Sequence, residues 1–314
     1  MNAPTTAPPS APSKAPAGGG PALPPPPPAT AAMPRASAST ATRATTAPKL
    51  AVQQRTNKPE RHLIYAVEGW GKTTLAAHAP GAAMVMASGE TGYETLLNNG
   101  RAPAIPAVTV YSWPELMAFL DDQITDEPLG YQHLAFDAIG RFERLNHEDV
   151  CNRDFNGNWG DKGFASYQKG YDVAVAQWLQ FLARLDRINA KGVGIILLGH
   201  VKVKTFKNPM GADFDRYTSD VHPATTGAET YRWADNVFFG NFETIVDDVQ
   251  DGGPKRAKKG KGIGDSSRVI YTTRCDGYDA KNKHGMPGAI GLSDDYRQNW
   301  ATLQHYMTNG NGGQ

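Results

Sequence analysis

Between His62 and Ala77 the chain reads His-Leu-Ile-Tyr-Ala-Val-Glu-Gly-Trp-Gly-Lys-Thr-Thr-Leu-Ala-Ala. An apolar run breaks into a turn containing Gly69 and Gly71, and a helical pattern follows from Lys72. Two residues without Cβ atoms let neighbouring backbone N–H groups converge on phosphate oxygens. Lys72 would bring a cation to the β- and γ-phosphates, and Thr73 a hydroxyl to Mg2+, a hard cation that keeps several waters. Glu68, Gly69, Trp70, Gly71, Lys72, Thr73 and Thr74 are therefore the expected contacts of a nucleoside triphosphate, with ATP and Mg2+ as ligands. The pattern G-x-x-x-x-G-K-[ST] is broken once, where Ala66 replaces the first Gly. An Ala at positive φ would cost about 1–2 kcal/mol, so either that position is not left-handed or the loop is slightly remodelled.

Three more candidates stand at the ends of strand-like runs. Ala82 to Ala87 leads into Ser88-Gly89-Glu90, His133 to Phe136 runs into Asp137, and Val193 to Leu198 delivers Gly199 and His200. Helical periodicity is strongest from Tyr167 to Ile188, and Ser112 with Glu115 forms a capping pair for another helix. Alternating strands and helices predict an α/β fold with a mostly parallel sheet and right-handed crossovers. Ligands of such sheets sit beyond the carboxyl ends of the strands, so Glu90, Asp137 and His200 should gather around the phosphates held by Lys72. Asp137 would orient Mg2+. The next residue is Ala138 rather than a water-activating Glu, which makes Glu90 the candidate general base and Glu143 its rival. His200 is placed to donate a hydrogen bond to a phosphate oxygen.

The second half has another character. Val237 to Phe239, Glu243 to Val249 and Arg268 to Thr273 read as an antiparallel extension, and a last helix is expected from a Ser293 cap through Tyr296, Trp300 and Leu303. After His200, Lys202, Lys204, Lys207 and Arg216 are interleaved with Phe206, Phe214 and Tyr217. Cations that track phosphates and aromatic faces that stack bases, at roughly 1–3 kcal/mol per base, serve sequence-tolerant single-strand binding. These seven residues are the candidate DNA contacts. The basic, Gly-rich run from Lys255 to Lys261 suits nonspecific phosphate contacts that weaken with salt.

Taken in order, AVEGWGKTT, MASGETG, HLAFD, IILLGHVKVK and Asp279-Ala280-Lys281-Asn282-Lys283 resemble the elements of the RecA-like ATPase core, from about Arg61 to Pro287. The likeness is to small phage nucleotide-binding proteins with an AAA-type ATPase domain, some of which are single-strand annealing recombinases. It implies an ATPase, slow or DNA-stimulated, that binds single-stranded DNA and promotes annealing or recombination in the host cytoplasm. It implies that His200 is the sensor linking the γ-phosphate to the DNA-binding loop, a position where RecA has Gln. It also implies that Lys281 and Lys283 reach the ATP of a neighbouring subunit, where trans cations would act as arginine fingers do. That role requires a homo-oligomer, ring or filament. A P-loop kinase with Lys255 to Lys261 as a lid, or a nucleotide-dependent assembly protein with little turnover, remain alternatives from other classes.

The net charge of +1 conceals an asymmetry, because no acidic residue precedes Glu60. Residues 1–54 are Pro, Ala, Thr, Ser and Gly with few large apolar side chains, too few to offset the entropy of ordering. A disordered tail is expected there, serving as a tether or a weak electrostatic arm toward a single-strand-binding protein or another recombination partner. One ATPase domain is expected over 55–307 and a flexible end over 308–314. Two cysteines rule out a disulfide framework. No apolar run approaches 18 residues, so no membrane span and a cytoplasmic location are expected.

Overall fold

The computed structural model describes residues 58–243, 246–247, 261–262 and 267–310. The Pro-rich tail and Lys255 to Lys259 lie outside these residues. Eight strands form the main sheet in the order β12-β11-β8-β1-β5-β4-β2-β3. They are β1 (Arg61–Ala66), β2 (Ala82–Ala87), β3 (Ala107–Val110), β4 (His133–Asp137), β5 (Gly194–Gly199), β8 (Asn236–Glu243), β11 (Ser267–Tyr271) and β12 (Ala289–Gly291). β6 (Val201–Phe206) and β7 (Phe214–Ser219) form a separate antiparallel hairpin, and β9 (Val246–Asp247) pairs with β10 (Lys261–Gly262).

β1 is apolar along its length because both of its faces are covered. Leu63 and Tyr65 enter one core with α3 (Trp113–Thr125), α4 (Ile139–Phe155), α5 (Lys169–Ala190) and α6 (Ala228–Trp233). Ile64 and Ala66 enter the other with α1 (Lys72–Ala77), α2 (Gly92–Asn98) and α7 (Asn299–Asn309). Burial on both faces accounts for the continuous hydrophobic runs that parallel strands show. The first core is dominated by rings: Trp113 stacks on Trp178 at 5.9 Å, and Phe136 meets Phe181 edge-on at 5.6 Å. The Ser112 side chain caps α3 by accepting from the Glu115 amide, while the Glu115 carboxylate accepts from the Tyr111 amide.

Two expectations are corrected. β8 is one long strand parallel to β1, with β11 antiparallel to it, so the antiparallel extension begins one strand later than the sequence pattern implied. The direction of β8 is set by its pairing with β1, a partner about 170 positions earlier in the chain. The last helix does not start from a Ser293 cap. Ser293 accepts from the Asp295 amide, Asp295 accepts from the Arg297 amide to begin a short 3-10 turn, and α7 follows through Asn309.

The chain leaves β1 toward β2 on one side and later returns with β8 on the other, which opens a crevice at the carboxyl end of β1. Among the described residues no helix is long and apolar enough to cross a membrane.

His62 packs between Phe238 and Trp300, 3 % exposed, and burial holds its pKa down at about 3. The folded state therefore binds fewer protons than the unfolded chain below pH 6.5, and stability falls as the solution is acidified through that window. From pH 7 to pH 5 the expected loss from His62 is about 2 kcal/mol. It should appear as a lower urea midpoint, and His62→Gln should flatten the pH dependence.

Candidate nucleotide-binding site

The loop after β1 takes left-handed dihedrals only at its glycines, Gly69 at φ 73° and Gly71 at φ 106°. Ala66 remains in the strand, so its Cβ carries no positive-φ strain. Trp70 is turned inward and is 1 % exposed; its indole N–H donates to the carbonyls of Asn241 and Val269, each at 3.1 Å. The ring lies over Gly240, where a Cβ would stand 2.6 Å from it. The backbone carbonyl of Trp70 accepts from Arg268 Nε at 2.9 Å.

Lys72 is buried at the loop's mouth, its ammonium donating to the Ala66 carbonyl at 2.9 Å. Burial lowers its pKa, opposed by the charges of Asp137, Asp220, Glu68 and Glu90. Thr73 donates its hydroxyl proton to Asp137 at 2.6 Å. Burial raises the Asp137 pKa and the Glu90 charge adds to it, while the Thr73 bond acts the other way. A hydroxyl beside one carboxylate fits Mg2+, which takes few protein ligands and completes its shell with phosphate and water oxygens. Among the described residues no group of three or more His, Cys, Asp or Glu could hold a metal alone, so a cation here would depend on the nucleotide's oxygens.

Glu90 stands on the turn after β2, 3.5 Å from Arg141 and 4.0 Å from His200 Nε2. Together with Lys72, Thr73 and Asp137, Glu90 and His200 line one cavity of about 460 Å³, within the usual size of a ligand site. Glu143, the rival base, is elsewhere. It accepts the His222 amide with both carboxylate oxygens, at 2.9 and 3.0 Å, and anchors that turn. The cavity's other end is built by Arg268, Leu292, Asp294 and Tyr296 with Arg101, residues that sequence reasoning did not bring to the site. The one local signal was a bulky Trp inside a Gly-rich turn, which demands a partner surface.

The remaining candidates divide. Lys281 and Lys283 lie at the amino end of β8, Lys281 bridging to Val237 and Lys283 pairing with Asp235. That is roughly 15 Å along the sheet from the phosphate loop, so they are not brought to Lys72 within one subunit. In the hairpin, Lys204, Phe206 and Lys207 are exposed, and Phe206 packs on Phe214 at 5.2 Å. Lys207 also pairs with Asp213. Three others turn toward internal partners. Lys202 donates to the Asp220 and Val221 carbonyls, Arg216 is buried against Asp279 at 2.8 Å, and Tyr217 stacks on Phe239 at 5.1 Å. Their cations and rings are engaged by internal partners, with Lys202 and Tyr217 still half-buried.

The sheet topology, the glycine-bent loop and the Lys72–Thr73–Asp137 grouping define a P-loop nucleotide-binding domain. The chain belongs to the AAA domain family, whose model matches residues 58–284, more than half of its length. No curated protein matches it in a sequence comparison.

The Trp70 anchor leads to a direct expectation. Gly240→Ala puts a methyl group into the indole and the Ala66 side chain, so it should cost about 1–3 kcal/mol and weaken nucleotide binding. Gly291→Ala, with nothing within 4 Å of the added atom, should change neither. Urea unfolding and calorimetric titration with ATP would read both effects.

Proposed function

We propose that this protein is an ATP-hydrolysing, RecA-like, single-stranded-DNA-binding protein that promotes annealing or recombination. The observation that carries this reading is the continuity of the chain from His200 into the hairpin. His200 lines the nucleotide cavity, the next residue begins β6, and the hairpin returns so that the Asp220 amide donates to the His200 carbonyl at 3.0 Å. A shift of His200 therefore moves both roots of a hairpin that exposes Val203, Lys204, Phe206, Lys207 and Met210.

In the hydrolysis step Lys72 and the loop N–H groups hold the β- and γ-phosphates. Mg2+, when bound, would neutralise phosphate charge. Glu90, steadied by Arg141, accepts a proton from the attacking water as its oxygen bonds to the γ-phosphorus and the bond to the ADP oxygen breaks. His200 donates to a γ-phosphate oxygen and loses that partner when phosphate leaves. Lys281 and Lys283, at the opposite end of the sheet, would reach a neighbouring subunit's nucleotide in a homo-oligomer. Lys283 would first have to leave Asp235, which makes Lys281 the readier of the two.

Two experiments test this reading. Glu90→Gln should lower kcat for ATP hydrolysis by about 10²–10⁴-fold with ATP affinity retained, whereas Lys72→Ala should lose affinity. Equal turnover in Glu90→Gln and wild type would remove Glu90 from the chemistry. In fluorescence anisotropy with labelled oligothymidine, binding should tighten with ATP and Mg2+ and weaken with salt. Phe206→Ala should cost roughly 1–3 kcal/mol, and Lys204→Glu should flatten the salt dependence. Absence of binding by the wild type at low salt would sink the DNA-binding reading.

A further inference from the structure

The nucleotide cavity has two ends, and only one is covered by the residues above. Glu90, Asp137 and His200 come from β2, β4 and β5, all on one side of β1. On the other side, two strands away, β11 carries Arg268 into the same cavity. Its Nε is spent on the Trp70 carbonyl, and a Cβ on Gly71 would lie 4.0 Å from that nitrogen. The guanidinium is thus held against the turn that presents Gly71, Lys72 and Thr73.

A guanidinium has five N–H donors in a rigid fork. One is used at Nε, and among the described residues no hydrogen bond engages the four on Nη1 and Nη2. Nη1 approaches Asp294 at 3.5 Å, too long for a hydrogen bond, and the Asp294 side chain is fully exposed. An exposed pair of this kind contributes little. Phe242 lies beneath the group at 5.7 Å and supports it without competing for its donors. The fork is fixed at one corner, aimed into a cavity built for phosphates, and has donors to spare.

We propose that Arg268 is a phosphate-binding residue of the nucleotide site, supplied in cis by the antiparallel extension. Its Nη groups bond the phosphates nearest the nucleoside, while its Nε braces the loop. The inference rests on the reading of the cavity as a nucleotide site. Because Arg268 approaches from the side away from Glu90 and Asp137, ADP and ATP should depend on it alike. Lys72, beside the Ala66 carbonyl, serves the other end.

The test is calorimetric titration of the full chain with ATP, ADP and inorganic tripolyphosphate at several salt concentrations. Arg268→Ala and Arg268→Gln are both expected to weaken ATP and ADP binding by about tenfold or more, with a flatter salt dependence. Gln keeps an N–H donor for the Trp70 carbonyl but has no charge, so wild-type affinity in Arg268→Gln would reduce Arg268 to a brace and overturn the proposal. A loss confined to ATP would overturn the placement near the nucleoside. Arg268→Lys, which keeps the charge without the fork, should fall between; it replaces Arg268→Ala if the latter fails to melt cooperatively. Failure of the wild type to bind any of the three ligands would instead reject the nucleotide site itself.

Discussion

The attachment of Trp70 to the sheet is the constraint on which the site depends. A loop that must keep two glycines at positive φ loses more backbone entropy on ordering than an ordinary turn. Here that loss is offset by burying the largest side chain available and by giving its indole N–H two carbonyl acceptors on β8 and β11. The Val67 amide adds a bond to the Gly240 carbonyl at 3.2 Å. The phosphate loop is thereby tied to three adjacent strands, β1, β8 and β11. The antiparallel extension is part of the site because it supplies both the seat for Trp70 and the arginine beneath the turn.

Charge explains the rest of the cavity. Four carboxylates, Glu68, Glu90, Asp137 and Asp220, act electrostatically on the single buried Lys72. A divalent cation at Thr73 and Asp137, with the arginines that line the cavity, would add positive charge beside that lysine. Burial pushes the Asp137 pKa up, and the Thr73 bond and the Lys72 charge oppose that shift. Asp220 is also pushed up by burial, and its Oδ1 has no hydrogen-bond partner among the described residues. It sits at the hairpin's root, so the electrostatics of the cavity extend to the element proposed to grip DNA.

The same hairpin divides residues of one composition between two environments. Lys202, Arg216 and Tyr217 have the chemistry of a nucleic-acid contact, yet each is engaged by an internal partner, with Arg216 buried. A long cationic side chain can satisfy backbone carbonyls as readily as phosphates, and a tyrosine beside β8 gains more from stacking on Phe239 than from waiting at the surface. Lys204 lies directly across the hairpin from Arg216 yet is exposed, and Phe206 and Lys207, closer to the tip, are exposed as well.

Much of the fold was legible because its determinants are local. The Gly69–Thr73 turn, the Ser112 cap and the strand ends at Glu90, Asp137 and Gly199 depend on neighbours within a few residues. They located the phosphate-loop end of the cavity. What tertiary structure alone decided involves partners far apart in the chain. These are the direction of β8, the seat of Trp70 on Gly240, the removal of Glu143 to the His222 turn, the distance of Lys281 from Lys72, and the entry of Arg268 from a strand almost 200 positions later. Backbone propensity and periodicity report which face of an element is buried; which distant side chain it is buried against is set only when the sheet assembles.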